Sequence, residues 1–260
     1  MAIEIHYDAV DSAPIDSATV MVLRDGAGEL EVLMVRRHGD SGVLGGVHVF
    51  PGGKLDPQDS HAALPGLDHD ADWFAQALGE PGLPPAVARG LFAAALRETR
   101  EECALALPAA SLWPWSRWIT PRQPSVTRKR FDTRFFVAAA PQDQVAVHDD
   151  VEATEAVWVV PAEGLRRYWA GEIDLAPPQI MCLVQLARIR SVAEALDAAR
   201  QRPPALIEPR PFDENGERVI CYPGDPSHPV PTPGWAGPTR LRYRNRRFEP
   251  EGGLAALLDG

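Results

Sequence analysis

The 260-residue chain carries 36 acidic and 26 basic side chains, a formal charge of −10, which argues against a general nucleic-acid or anionic-membrane binder. Its length suits one large domain, or a smaller one with an extension, and can bury a substantial core. Cys103, Cys182 and Cys221 are odd in number and lack CxxC spacing, so reduced thiols are expected rather than disulfides or a zinc site.

The first residues, "MAIEIHYDAVDSAP", lack a basic segment followed by an apolar core, and no window reaches 18 uninterrupted apolar residues. A cytoplasmic protein with no membrane span is therefore expected. Residues 17 to 37 read as a hairpin, two β-rich runs joined by "DGAGE". "GVHVFPGGKLD", 46 to 56, reads as a short strand stopped by Pro51 and opened into a loop by Gly52 and Gly53. From Asp56 to about residue 85 no period is sustained, and an inserted surface segment with a helical island at "DADWFAQAL" is expected. Residues 86 to 105 are rich in alanine and leucine at helical spacing, which predicts a helix. Strands are predicted over 130 to 140 and 155 to 161, then a short helix from Ala162 and another from about 178 to 200. "CYPGDPSHPVPTPGWAGP" is too rich in proline for a core element. "RLRYRNRRF" alternates as an edge strand or dimer element, with Arg240, Arg242, Arg244 and Arg246 on one face. This order predicts a mixed α/β sandwich.

The chemistry concentrates in "LRETREECAL", 96 to 105. Residues three and four apart share a helix face, so Glu98, Glu101 and Glu102 would crowd into one volume and repel unless a cation sits there. Mg²⁺ takes carboxylate, carbonyl and water oxygens and commonly bridges to phosphates. Glu101 and Glu102 are candidate ligands, with a Gly52 carbonyl as a further oxygen, and Arg97 would offset their charge. The chemistry expected is attack of a polarised water on phosphorus, with Glu98 as base or as the group that orients the water.

These residues resemble the Nudix hydrolases, whose box reads G-x(5)-E-x(7)-R-E-U-x-E-E-x-G-U. "RETREECAL" matches its second half at Arg97, Glu98, Glu101, Glu102 and Leu105, and "FPGG" resembles its opening. Gly53 and Arg97 stand 44 positions apart, where the ordinary box has 14. Arg89 stands where the box has glutamate, Ala104 where it has glycine, and Thr99 where it has an aliphatic residue. A box split by a long insertion resembles the peroxisomal coenzyme A diphosphatase branch, as do "WITPRQPSVTRKRFDTRFF", "LAPPQ" and "YPGD". The resemblance implies an α/β/α sandwich with a mixed sheet over residues 1 to 176, an insertion at about 56 to 85, and a helical and irregular extension over 177 to 260. It implies Mg²⁺- or Mn²⁺-dependent cleavage of a nucleoside diphosphate derivative, with Glu98, Glu101 and Glu102 binding metal.

The arrangement from Gly46 to Gly53 resembles the coenzyme A signature of that family, which implies that Phe50 and Gly53 meet substrate. Coenzyme A or an acyl-coenzyme A would then be cut to 4′-phosphopantetheine, or its acyl form, and 3′,5′-ADP. Rival readings are another nucleoside diphosphate derivative such as ADP-ribose, and a binding module without turnover. Arg36 and Arg37, closing a strand before the loop, and Arg130, in a basic cluster with Lys129 and Arg134, are candidate phosphate contacts. Glu152 and Glu155 are candidates for a further acid, against a charged loop leading into a strand. His48 reads as a strand residue. "DHDADW" fails as a calcium loop, because Trp73 and Gly79 stand where glycine and an acid are required.

Overall fold

In the computed structural model, which describes residues 5–39, 44–148 and 153–259, the expected hairpin is β1 (Ile15–Asp25) and β2 (Leu30–Arg37), paired antiparallel. β3 (His48–Val49) joins the edge of β2, and β4 (Gly52–Lys54) folds back on the start of β1. Then follow α1 (Ala71–Ala77), α2 (Pro85–Cys103), β5 (Trp113–Ile119), β6 (Phe131–Ala139) and β7 (Ala153–Val159). β6 runs parallel to β1, β5 antiparallel to β6, and β7 antiparallel to β2, which makes the sheet mixed.

β1 is apolar through its middle because both faces of the sheet are covered. Val20 and Val22 point to a cluster with Leu91 and Phe92 of α2. Met21 and Leu23, one step out of phase, point to the opposite cluster. That second layer is built by α3 (Pro161–Ala170), α4 (Pro177–Leu186) and α5 (Val192–Gln201). The result is an α/β/α sandwich.

Several expectations need correction. The segment after Asp56 is not merely surface: Asp59, Leu64, Leu67, Phe74 and Leu78 are buried. Phe74 meets Phe92 edge to face at 5.2 Å. Its apolar residues form a face too short for a sustained period but wide enough to dock on α2. The helix predicted over 178 to 200 is two helices. Ser191 starts the second by accepting from the Glu194 backbone N–H at 3.2 Å while Glu194 accepts from Arg190 N at 3.0 Å, a pattern that begins helices. β5 escaped the sequence reading because of Pro114, which sits at a register shift where a missing ladder donor is tolerated.

After α5 come β8 (Ala205–Ile207), parallel to β5, and a four-stranded antiparallel sheet. Its strands are β9 (Arg210–Glu214), β10 (Glu217–Cys221), β11 (Arg240–Arg244) and β12 (Arg247–Glu249), and α6 (Gly253–Leu258) closes the chain. "RLRYRNRRF" is thus a hairpin, not one strand, because Asn245 and Arg246 both take positive φ, 49° and 65°. Arg240, Arg242 and Arg244 are ion-paired with Asp225, Glu214 and Glu217. The proline-rich stretch also supplies core residues. Tyr222 and Trp235 are buried, and Trp235 stacks on Trp118 with ring centres 5.4 Å apart. Among the described residues no helix is long and apolar enough to cross a membrane.

Candidate functional site

The short strand β4 and the C-terminal half of α2 build the site together. Thr19 Oγ donates to the Pro51 carbonyl at 2.7 Å and to that of Phe50 at 3.2 Å, which pins the glycine loop to β1. Gly52 must be glycine because a Cβ there would stand 2.4 Å from the Ala18 carbonyl oxygen. Its backbone N–H donates to Glu102 Oε2 at 3.0 Å, so the buried Glu102 ties α2 to the loop. A Cβ on Gly53 would fall 2.3 Å from Glu98 Oε1. Glu98 therefore rests directly on the Gly53 backbone.

Arg97 organises the acids. Its Nη1 donates to Glu98 Oε1 at 2.8 Å and to Glu101 Oε2 at 3.0 Å. Its Nε and Nη2 grip the two oxygens of Asp59, both at 2.9 Å, and Nη2 also reaches the Lys54 carbonyl at 3.0 Å. A planar guanidinium suits this fork, and lysine could not reproduce it. The bond to Asp59, opposed by burial and reinforced by Glu98, holds the guanidinium proton more tightly than usual. Asp56 Oδ2 approaches at 3.6 Å. Arg97 thus faces Asp56, Asp59, Glu98 and Glu101, with Glu102 one helical step on; this is excess negative charge that favours a cation.

Sequence reasoning missed Asp59, which comes from the insertion. Its local signal was Asp56-Pro57-x-Asp59, an acid, a proline and a second acid opening a short 3-10 turn at Pro57–His61. Asp59 Oδ2 accepts from the Asp56 N–H at 2.8 Å.

Glu98, Glu101, Arg97, Gly52, Gly53, Phe50 and Arg37 all border one cavity of about 650 Å³. Lys54 and Lys129 add positive charge to its wall. Arg36 is not in that wall. It lies opposite Glu155 on β7 and His48 on β3, and Glu155 stands 3.6 Å from the His48 ring. Burial lowers the His48 pKa, against the pull of Glu155. Glu155 therefore faces this neighbourhood rather than the cavity wall, and Glu152 lies outside the described residues. Arg130 is also absent from the wall, its guanidinium donating to the carbonyls of Thr120 at 3.0 Å and Ser12 at 3.2 Å. Arg134 is buried against Glu80, with contacts of 2.9 and 2.8 Å. Of that basic cluster, Lys129 is the member that borders the cavity.

Ala104, at the position of the box glycine, takes φ 56° and ends α2 in the left-handed conformation a glycine would adopt. The donors around Arg97 are all oxygens, which suits a hard divalent cation. Among the described residues no three His, Cys, Asp or Glu side chains already stand as a metal-holding group. Arg97 Nη1 lies between Glu98 and Glu101, and the Glu101 side chain, 59% exposed, has room to turn.

The sequence profile described as the NUDT19 Nudix domain matches residues 101–188. The acyl-coenzyme A diphosphatase NUDT19 of Xenopus laevis is 33% identical over 85 residues, covering 32% of this chain and 22% of that protein. This match spans under a quarter of that relative's length. The putative nudix hydrolase 7 of Caenorhabditis elegans is 26% identical over 206 residues, 75% of this chain and 68% of that protein. The crystal structure of a NUDIX hydrolase from Alicyclobacillus acidocaldarius superposes with a TM-score of 0.57 at 26% identity, covering 72% of this chain and 97% of that one.

Proposed function

We propose, for a chain that belongs to the Nudix family and resembles its acyl-coenzyme A diphosphatase branch, that it is a divalent-cation-dependent pyrophosphohydrolase. Its substrate on this reading is coenzyme A or an acyl-coenzyme A, hydrolysed to (acyl-)4′-phosphopantetheine and 3′,5′-ADP. The observation that carries the reading is that Glu98 and Glu101 line one large cavity together with Gly52 and Gly53, with Glu98 lying against Gly53.

Glu98, Glu101 and Glu102 would hold the cation. When bound, Mg²⁺ or Mn²⁺ supplies Lewis-acid polarisation of the diphosphate and of the attacking water. Glu98 is positioned to orient that water or take its proton, since Gly53 and Arg97 fix its carboxylate. Arg37, Lys54 and Lys129 bring positive charge to the cavity for the phosphates. Arg97 stays engaged with Asp59 and acts as a positioning residue.

The test is incubation of wild type and Glu102→Gln with coenzyme A and Mg²⁺ or Mn²⁺, resolving the nucleotide products. Metal-dependent release of 3′,5′-ADP by the wild type, lost in the variant, is expected. Intact coenzyme A with turnover of ADP-ribose to AMP would overturn the substrate. Binding without any metal-dependent product would overturn the enzyme.

A further inference from the structure

The cavity bordered by the glutamates has another wall that hydrolysis does not use. Phe50, Trp118, Pro178, Pro211 and Ile220 make it apolar. Pro211 and Ile220 are register partners in β9 and β10, so the C-terminal sheet contributes part of this wall. The start of α4 is brought beside β3 by the pairing of Leu175 with His48 and by the His48 N–H, which donates to the Asp174 carbonyl at 3.0 Å.

Two side chains in the wall carry buried polar atoms without a protein partner. Gln179, 8% exposed, has its amide oxygen unpaired, and Ser125, 5% exposed, its hydroxyl. Such groups are rarely left unmatched, because desolvation is not repaid. An anion is a poor match here. The first turn of α4 has Pro177 and Pro178, which lack N–H groups, and the Ile180 N–H is already given to Ala176 at 3.1 Å. An acceptor oxygen on an apolar wall calls for a neutral N–H donor on an otherwise apolar chain.

We propose that Gln179, aided by Ser125, is a specificity determinant that reads an amide in the non-nucleotide arm of the substrate, with the ligand N–H donating to Gln179 Oε1. The inference rests on the hydrolase reading above and adds which side chains recognise the other end of the molecule. The pantetheine arm of coenzyme A has this chemistry, amides separated by short aliphatic segments.

The experiment pairs steady-state kinetics on coenzyme A with calorimetric binding of pantetheine, which carries no diphosphate. Wild type, Gln179→Met and Ser125→Ala are compared, each checked for an unchanged melting temperature. Loss of one ligand hydrogen bond is expected to raise KM about tenfold in Gln179→Met, with kcat within about twofold. Pantetheine binding should weaken by a similar factor, and Ser125→Ala, the smaller change, should shift both in the same direction. Equal KM in wild type and both variants, or no pantetheine binding to the wild type, would overturn the inference and leave the hydrolase reading standing. Gln179-dependent pantetheine binding without coenzyme A hydrolysis would support the inference and sink the hydrolase reading.

Discussion

Gly53 lacks a side chain where the Glu98 carboxylate needs the space, and a methyl group there would stand 2.3 Å from Glu98 Oε1. Only the tip of a flexible side chain has to yield, so Gly53→Ala should fold with a stability change within about 1 kcal/mol. The displaced carboxylate can no longer meet its water in the same place. Since a positioned base contributes roughly 10²–10⁴-fold, kcat should fall about 10²-fold while the melting temperature barely moves. An unchanged kcat would remove Glu98 from the reaction. Glu98, Glu101 and Glu102 were legible in the sequence because helical spacing alone puts them on one side. Asp59 was not, because it reaches Arg97 from 38 residues away, and no local period reports such a contact. Arg36 and Arg37 looked alike as neighbours, yet only Arg37 borders the cavity.

At the scale of elements, α2 carries both its packing and its chemistry on one cylinder. Ala88, Leu91, Phe92 and Ala95 face the sheet, and the last turns turn their acids to the glycine loop. Ala88 and Ala95 permit close approach to the strands, and the helix was legible because its alanine and leucine content and its apolar spacing both favour one. The sequence reading of β1 stopped at a β-rich run in a hairpin; that Val20 to Leu23 are all buried, on both faces, came from the packing of helices on either side of the sheet. β5 was hidden by Pro114, and the break between α4 and α5 by continuous helix-forming residues on both sides of Ser191. The insertion was read as surface, although its 3-10 turn packs on α2 so tightly that a Cβ on Gly90 would come within 3.0 Å of Ser60 Oγ. That packing makes the insertion part of the site. Asp59→Asn should lower stability by about 2 kcal/mol, the scale of a charge-assisted hydrogen bond, seen as a lower urea midpoint. It should also reduce kcat, because Arg97 would no longer be anchored while it holds Glu98 and Glu101. A variant with the lower midpoint but full kcat would show that the anchor serves only the fold.

Across the whole molecule, the residues after α5 share a core with the main sheet. Ile207, Ile220, Tyr222, Trp235, Leu241 and Phe248 join the cluster that holds Met21, Met34 and Trp118. Proline content concealed this, since a chain can bury aromatic side chains from turns as well as from regular elements. Asp225 closes one of those turns. Burial alone would raise its pKa, but hydrogen bonds from Arg240 and Ser227 and the charge of Arg240 outweigh burial and hold the carboxyl below the usual range. The Arg240 contacts are 2.7 and 2.8 Å. Because the folded-state pKa lies below the unfolded one, the contribution is full above the ordinary carboxylate pKa and is lost as pH falls through the lowered value. Melting temperature should therefore drop more steeply between about pH 5 and pH 2 in the wild type than in Asp225→Asn, which has no proton to take up there. The variant should be less stable at neutral pH, and the two curves should converge toward acid. Since the turn belongs to the shared core, tryptophan fluorescence and far-ultraviolet circular dichroism should report one coincident transition. Parallel acid limbs for the two proteins would mean that Asp225 does not couple protonation to folding.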